Sequence, residues 1–214
     1  QYAQKASVMC PTSMKLLGLR NPDLRLLMKE LAKDLKKSDR SEILKLSYDL
    51  IDEKILEAQM LVYMLLDHMK MVPHLSKKEV HRLEGVLDNW VSVDTYGTLV
   101  YGILWRLGTF TDEEVYKLQD EDDVWHRRLA LVGTVALNLK SRGGSGDSGR
   151  TLLACSRAAE DHHDMIVKAV SWSLRSLIRW NSTAVRDFLE EHKSILHKRV
   201  LREVNHKLDF GTKN

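Results

Sequence analysis

"NPDLRLLMKELAKDL", residues 21–35, decides the fold class. Leu24, Leu27, Met28, Leu31 and Leu35 recur in steps of three and four, the spacing that gathers side chains on one face of an α-helix. Asn21 reads as the N-cap and Pro22 as the first helical residue, where a fixed φ and a missing N–H cost the helix nothing. Outward from here the same period returns in "ILKLSYDLIDEKI", "EAQMLVYMLLDHM", "VWHRRLALVGTVALNL", "MIVKAVSWSLRSLIRW" and "AVRDFLEEHKSILHKRVLREVNHKL". No segment alternates apolar and polar residues, and only three prolines interrupt 214 residues. The expected class is all-α.

The apolar helices themselves recur. Starts near Leu24, Leu56, Val93, Val124, Ile166 and Leu196 are roughly 30 to 42 residues apart, the range of helical-pair repeats. Shorter polar segments, "SKKEVHRLEGVL" and "TDEEVYKL", lie between them. Two helices per unit, stacked side by side, predict one HEAT-like α-solenoid domain over 1–214, its equivalent helices lining a concave face. An irregular helical bundle is the competing arrangement.

Composition narrows the classes. A 43% hydrophobic and 29% charged chain is that of an ordinary globular protein, long enough for a sizeable core. The net charge of +3 is too small to argue for a polyanionic partner, so any nucleic-acid contact requires basic residues clustered on one face. Cys10 and Cys155 match no metal or redox spacing, which fits a reducing cytoplasm. No apolar run reaches a membrane span. "SRGGSGDSGRT", 141–151, is the one low-complexity stretch, and 141–150 is expected to be a flexible loop. Gly144 to Thr151 approaches a phosphate-binding loop, but Arg150 replaces its lysine and a helix precedes it, so that reading is set aside.

"NWVSVDTYG", 89–97, carries the chemistry. On a helix Trp90 and Asp94 share a face one turn apart, and an apolar segment rarely carries a carboxylate without a reason, because burying one alone is costly. A salt bridge to an arginine of the next repeat is the plain explanation, and "VWHRR" supplies Arg127 and Arg128. Trp172 lies on the equivalent helix one repeat further. In a solenoid these residues converge on the concave face. Trp105 and Trp180, near helix ends, read as structural.

The W-x-x-x-D helix at Trp90–Asp94, the W-x-R-R helix "VWHRRLALV", the K-A-x-x-W-x-L-R helix "KAVSWSLRS" and the turn "LLGLRNPDLR" occur in register over about 15–205. Together they resemble the DNA alkylation repair family, the AlkD-like DNA glycosylases built from HEAT-like repeats. The family's second aromatic after the first tryptophan is replaced by Val91, its first helix looks shortened before residue 15, and the 141–150 loop looks longer.

This resemblance implies excision of cationic N3- or N7-alkylated purines, such as 3-methyladenine and 7-methylguanine, from duplex DNA. The alkylated base already carries positive charge and leaves neutral, so no general acid is needed. Asp94 is implied as the carboxylate that stabilises the oxocarbenium-like sugar or orients water. Trp90 and Trp172 are implied as flanking aromatics. Arg127 and Arg128 are expected to hold phosphates, with Lys168, Arg175 and Arg199 as further DNA contacts. No cofactor and no metal is expected: "DHHD", 161–164, puts adjacent histidines on different faces, and His192 and His197 are five apart. The expected partner is double-stranded DNA with alkylated bases, met by a monomer in the cytoplasm, associated with the nucleoid through DNA. A non-catalytic HEAT-repeat DNA-binding protein and a protein–protein scaffold are the alternatives.

Overall fold

A computed structural model describes Val8 and residues 10–212. The shortened first helix expected before residue 15 falls largely outside the described residues. The chain divides into two compact units, Gln1–Val100 and Tyr101–Asn214. Among the described residues both are helical, with no strand and a single isolated bridge between Lys15 and Ile55.

The first unit contains α1 (Asn21–Asp34), α2 (Arg40–Asp52), α3 (Leu56–His68), α4 (Lys77–Leu83) and α5 (Trp90–Tyr96). α1 packs on α3 and α3 on α5, while α2 packs on α3 and α4. Every second helix is therefore equivalent, which is the repeat expected from the sequence rather than an irregular bundle. The apolar period explains the join: Leu24 and Met28 of α1 meet Leu56, Met60, Leu61 and Leu65 of α3. Fully burying one such side chain stabilises by about 1.5–3 kcal/mol. Side-chain caps end the helices where the sequence provides them. Asp39 with Glu42 and Ser76 with Glu79 form capping boxes at α2 and α4. α1 departs by one residue: Arg20, not Asn21, is its N-cap, without a side-chain cap bond, and pairs instead with Asp23 at 3.1 Å. The turn before it needs Gly18, whose φ of +82° places it in the left-handed region. Buried Glu57 fixes that turn by accepting the amides of Leu17, Gly18 and Leu19 at 3.0, 2.7 and 3.3 Å.

The second unit contains α6 (Gly102–Arg106), α7 (Asp112–Lys117), α8 (Val124–Asn138), α9 (Ser148–Arg157), α10 (Asp164–Leu177), α11 (Ser182–Glu191) and α12 (Lys198–Phe210). α6, α8, α10 and α12 pack in succession, and α9 and α11 form the second layer. α8 is apolar nearly all round and is buried from Arg128 to Asn138, the behaviour of a helix with neighbours on every side. Trp105 is wholly buried and donates its indole N–H to Asp112 at 2.8 Å; the indole of Trp180 donates to the Asn138 carbonyl at 2.7 Å. Both tryptophans are structural, as their positions suggested.

The stretch 141–150 differs from the flexible loop expected. It begins inside a 3-10 turn, Lys140–Arg142, and its last residues already belong to α9. Gly144 and Gly146 donate their amides to the Leu139 and Leu137 carbonyls at 2.9 and 3.2 Å. A Cβ on Gly144 would lie 2.5 Å from the Leu137 oxygen, and one on Gly146 would lie 2.6 Å from Trp180. These glycines answer to close packing. Asp147 caps α9, and Arg150 is committed to Asp112 at 2.6 Å, so the segment offers no phosphate cradle.

Candidate functional site

Helix α5 begins where Asn89 stops the preceding chain. The buried Asn89 Oδ1 accepts the amides of Val91 and Ser92, each at 3.0 Å, satisfying two of the donors that a helix start leaves without partners. The same oxygen accepts the Cys10 thiol at 3.1 Å. Asn89 Nδ2 donates to Asp88 at 3.0 Å and to Thr12 at 3.3 Å. Asp88 in turn accepts the Thr12 hydroxyl at 2.5 Å and the Ser13 amide at 2.6 Å. Burial alone would raise the Asp88 pKa, but the hydrogen bonds from Asn89, Ser13 and Thr12 outweigh it and hold the carboxyl at about 2. The first turn of α5 is thus fastened to residues almost 80 positions earlier.

Trp90 and Asp94 do lie on this one helix, a turn apart. The inner face of α5 is Ser92, Val93 and Tyr96, with Tyr96 against Tyr63 at 5.2 Å between ring centres. The opposite side carries Trp90, 37% exposed, and half-buried Asp94. Both residues interact with other groups of the protein, so neither stands free. Its backbone carbonyl accepts the Thr98 hydroxyl at 2.7 Å, as the Val91 carbonyl accepts that of Thr95. The helix then widens into a π turn, Gly97–Tyr101, an irregularity that often accompanies functional positions.

The remaining expected residues all lie in the second unit, where the structure shows what each of them touches. Arg128 is only 4% exposed and donates to the Met165 carbonyl, which ties α8 to the start of α10. A guanidinium so placed is a structural tie and does not present itself to a phosphate. Arg127 braces the same corner: its Nε donates to Asp161 at 3.0 Å and its Nη1 to the Glu121 and Asp122 carbonyls at 2.9 and 2.6 Å. Arg175 belongs to a buried pair, 2.6 Å from Glu203, which also accepts the Ser171 hydroxyl at 2.7 Å. Burial lowers the Arg175 pKa, opposed by the Glu203 charge. Arg199 completes the arrangement with Glu203 at 2.8 Å and Asp164 at 3.2 Å, and Lys168 pairs with Asp164 at 2.6 Å. Lys168 and Arg199 keep partial exposure and Arg175 a little, whereas Arg128 is buried. Arginine spacing could not reveal this, because i,i+4 ion pairs and interhelix carboxylates consume charges that look free in a sequence. Trp172, between Lys168 and Arg175 on α10, is half-buried against the core of its unit.

What the sequence reading missed is the support of α5: Cys10, Thr12, Asp88 and Asn89. An Asn immediately before Trp90 was a legible cap signal, whereas its partners around residue 12 had no signal at all.

A family model described as DNA alkylation repair enzyme matches residues 1–208. Among solved structures, the chain is similar to a predicted DNA alkylation repair enzyme from Enterococcus faecalis, with a TM-score of 0.74, 20% identity, and coverage of 95% of this chain and 93% of that one. At that identity the likeness concerns the fold. No curated protein matches the chain. By the extent of the family match, the chain belongs to the DNA alkylation repair enzyme family.

Proposed function

We propose that this protein is a monofunctional DNA glycosylase that removes cationic N3- or N7-alkylated purines from duplex DNA. The observation that carries the reading is the outward side of α5, where an exposed tryptophan and a half-buried carboxylate stand one turn apart on a capped helix. Family membership supports a role in alkylation repair; the choice of reaction rests on these two residues.

The chemistry suits one carboxylate. An alkylated purine leaves as a neutral base, and positive charge grows on the deoxyribose as the glycosidic bond lengthens. A carboxylate about 4 Å away, at an effective dielectric near 20, interacts with that charge by roughly 4 kcal/mol. At about 1.4 kcal/mol per decade this limits the gain to on the order of a thousandfold, since Asp94 attracts the cationic ground state as well. A carboxylate has about four lone-pair sites, enough for Asp94 to meet a protein group and still face the sugar. A fixed place on a capped helix is what preorganised stabilisation requires. Trp90 supplies a π face to the cationic nucleotide and keeps water from its edge. Trp172 enters the proposal as a second aromatic surface for the same duplex. No step requires a cofactor.

The test is release of 3-methyladenine and 7-methylguanine from methylated duplex DNA by the wild type and by Asp94→Asn, with thermal unfolding measured on both. Release by the wild type and at least about a tenfold slower rate in a folded variant is expected. Equal rates remove Asp94 from the mechanism, and no release by the wild type overturns the glycosylase reading in favour of a DNA-binding protein without excision.

A further inference from the structure

The cations expected to meet DNA are largely paired within the second unit, but one group in the first unit is not. Arg25, Lys29 and Lys33 stand at four-residue steps on α1, and Lys36 and Lys37 follow in the 3-10 turn Leu35–Lys37. All five are exposed, and none forms an ion pair or a side-chain hydrogen bond with the described residues.

The pattern differs from that of an ordinary solvated helix. At 100° per residue, Arg25, Lys29 and Lys33 fall within about 80° of one another, on one edge of the face opposite the core stripe Leu24, Met28, Leu31 and Leu35. The acids of α1, Asp23, Glu30 and Asp34, occupy a separate stripe. An exposed helix normally intersperses its charges so that neighbours at i,i+4 attract. Here Arg25–Lys29 and Lys29–Lys33 are like-charged neighbours, an arrangement that works against the helix. Lys33, Lys36 and Lys37 gain something from the C-terminal end of the helix dipole, but Arg25 and Lys29 are too far from it. A segregated, unpaired basic ridge becomes favourable when a polyanion lies along it.

We infer that the ridge Arg25–Lys29–Lys33, continued by Lys36 and Lys37, is a phosphate-contact surface for duplex DNA. At about 1.5 Å per residue the ridge runs about 18 Å, near half a turn of a duplex whose repeat is about 34 Å. It bears cations every 6 Å or so, whereas the duplex carries one charge per 1.7 Å or so of its axis, ample to occupy all five. Contacts of this kind read no base; they hold the register of the duplex. The inference extends the proposed glycosylase reading by naming where the undamaged backbone is held. Leu26, exposed beside the ridge, makes an anionic membrane the competing partner, and the test separates the two.

The experiment compares the wild type with the triple variant Arg25→Gln, Lys29→Gln and Lys33→Gln, since glutamine is a good helix former. Affinity for a short undamaged duplex is measured against salt, alongside thermal unfolding, excision, and binding to vesicles of equal parts phosphatidylcholine and phosphatidylserine. With about 0.9 of slope per phosphate contact, the log–log salt slope should fall by about 2.7 and low-salt affinity by at least about tenfold. Unfolding should not come earlier, because like-charge repulsion has been removed. Glu30→Gln with Asp34→Asn should leave the slope unreduced. An unchanged slope in a folded triple variant overturns the ridge and leaves the glycosylase reading untouched. Loss confined to vesicles also overturns it. A reduced slope with no excision by the wild type upholds the ridge and overturns the glycosylase reading.

Discussion

The thiol of Cys10 donates to Oδ1 of Asn89 at 3.1 Å, and that oxygen also accepts the two amides that open the helix of Trp90 and Asp94. One buried side chain therefore joins the N-terminal segment to the candidate site. Replacing Asn89 with alanine removes the cap and leaves the Val91 and Ser92 amides without their acceptor. An N-cap loss costs about 1–2 kcal/mol. Asn89→Ala should lower the urea midpoint accordingly and slow excision in the protein that remains folded. A variant with wild-type stability and rate would show that the cap does not position Trp90 and Asp94.

Acid should loosen the same anchor. Asp88 titrates at about 2 when folded, below the roughly 3.9 of an unfolded aspartate. A depressed folded value means that its stabilisation is complete above the unfolded pKa and is lost as pH falls from about 4 toward 2. Glu79, held at about 2 by its hydrogen bond from Arg40, acts in the same window. Urea midpoints measured through this range should fall for the wild type, and the fall should be smaller in Asp88→Asn. An equally steep fall in the variant would acquit Asp88.

Arg175 offers a check on whether its pairing with Glu203 is its role. Glu203 is buried, and removing one partner of a buried pair leaves an uncompensated charge. Arg175→Met should cost about 3 kcal/mol, the low end for such a change, because Arg199 still faces Glu203. The folded variant should keep the wild-type salt dependence of duplex binding. A lower slope with little loss of stability would return Arg175 to the DNA surface.

Two glycines after α8, Gly146 and Gly149, should respond in opposite ways. Gly146 has φ of +88° and no room for a Cβ beside Trp180, so Gly146→Ala should destabilise by about 1–3 kcal/mol. Gly149 lies inside α9, and its added Cβ would meet nothing nearer than an Asp147 oxygen at 3.8 Å. Gly149→Ala should raise stability by roughly 0.5 kcal/mol. Differential thermal unfolding of the two variants decides between tight packing and the flexible loop that composition suggests: in a loose loop both would be near neutral.

Much of this was open to sequence reading because helices announce themselves locally. The stripe Leu24–Met28–Leu31–Leu35, the recurrence of apolar helices near Leu56, Val124 and Ile166, and the Asn before Trp90 each depend on residues within a few turns of one another. The glycines of 141–150 were not legible for the opposite reason: glycine permits motion and also permits close approach, and the approach to Leu137 and Trp180 is visible only in the fold.

Local pattern was enough for the all-α class, the repeat of helix pairs, and the placing of Trp90 and Asp94 on one helical face. Those follow from short-range periodicity, which the backbone geometry converts directly into faces. Only the tertiary structure decided which charges are spent. Arg127, Arg128 and Arg175 bond to Asp161, Met165 and Glu203, between 28 and 37 residues away, whereas the lysines of α1 meet no acid among the described residues. A charge in a sequence carries no record of its partner, since Coulomb attraction and burial depend on distance through space rather than along the chain.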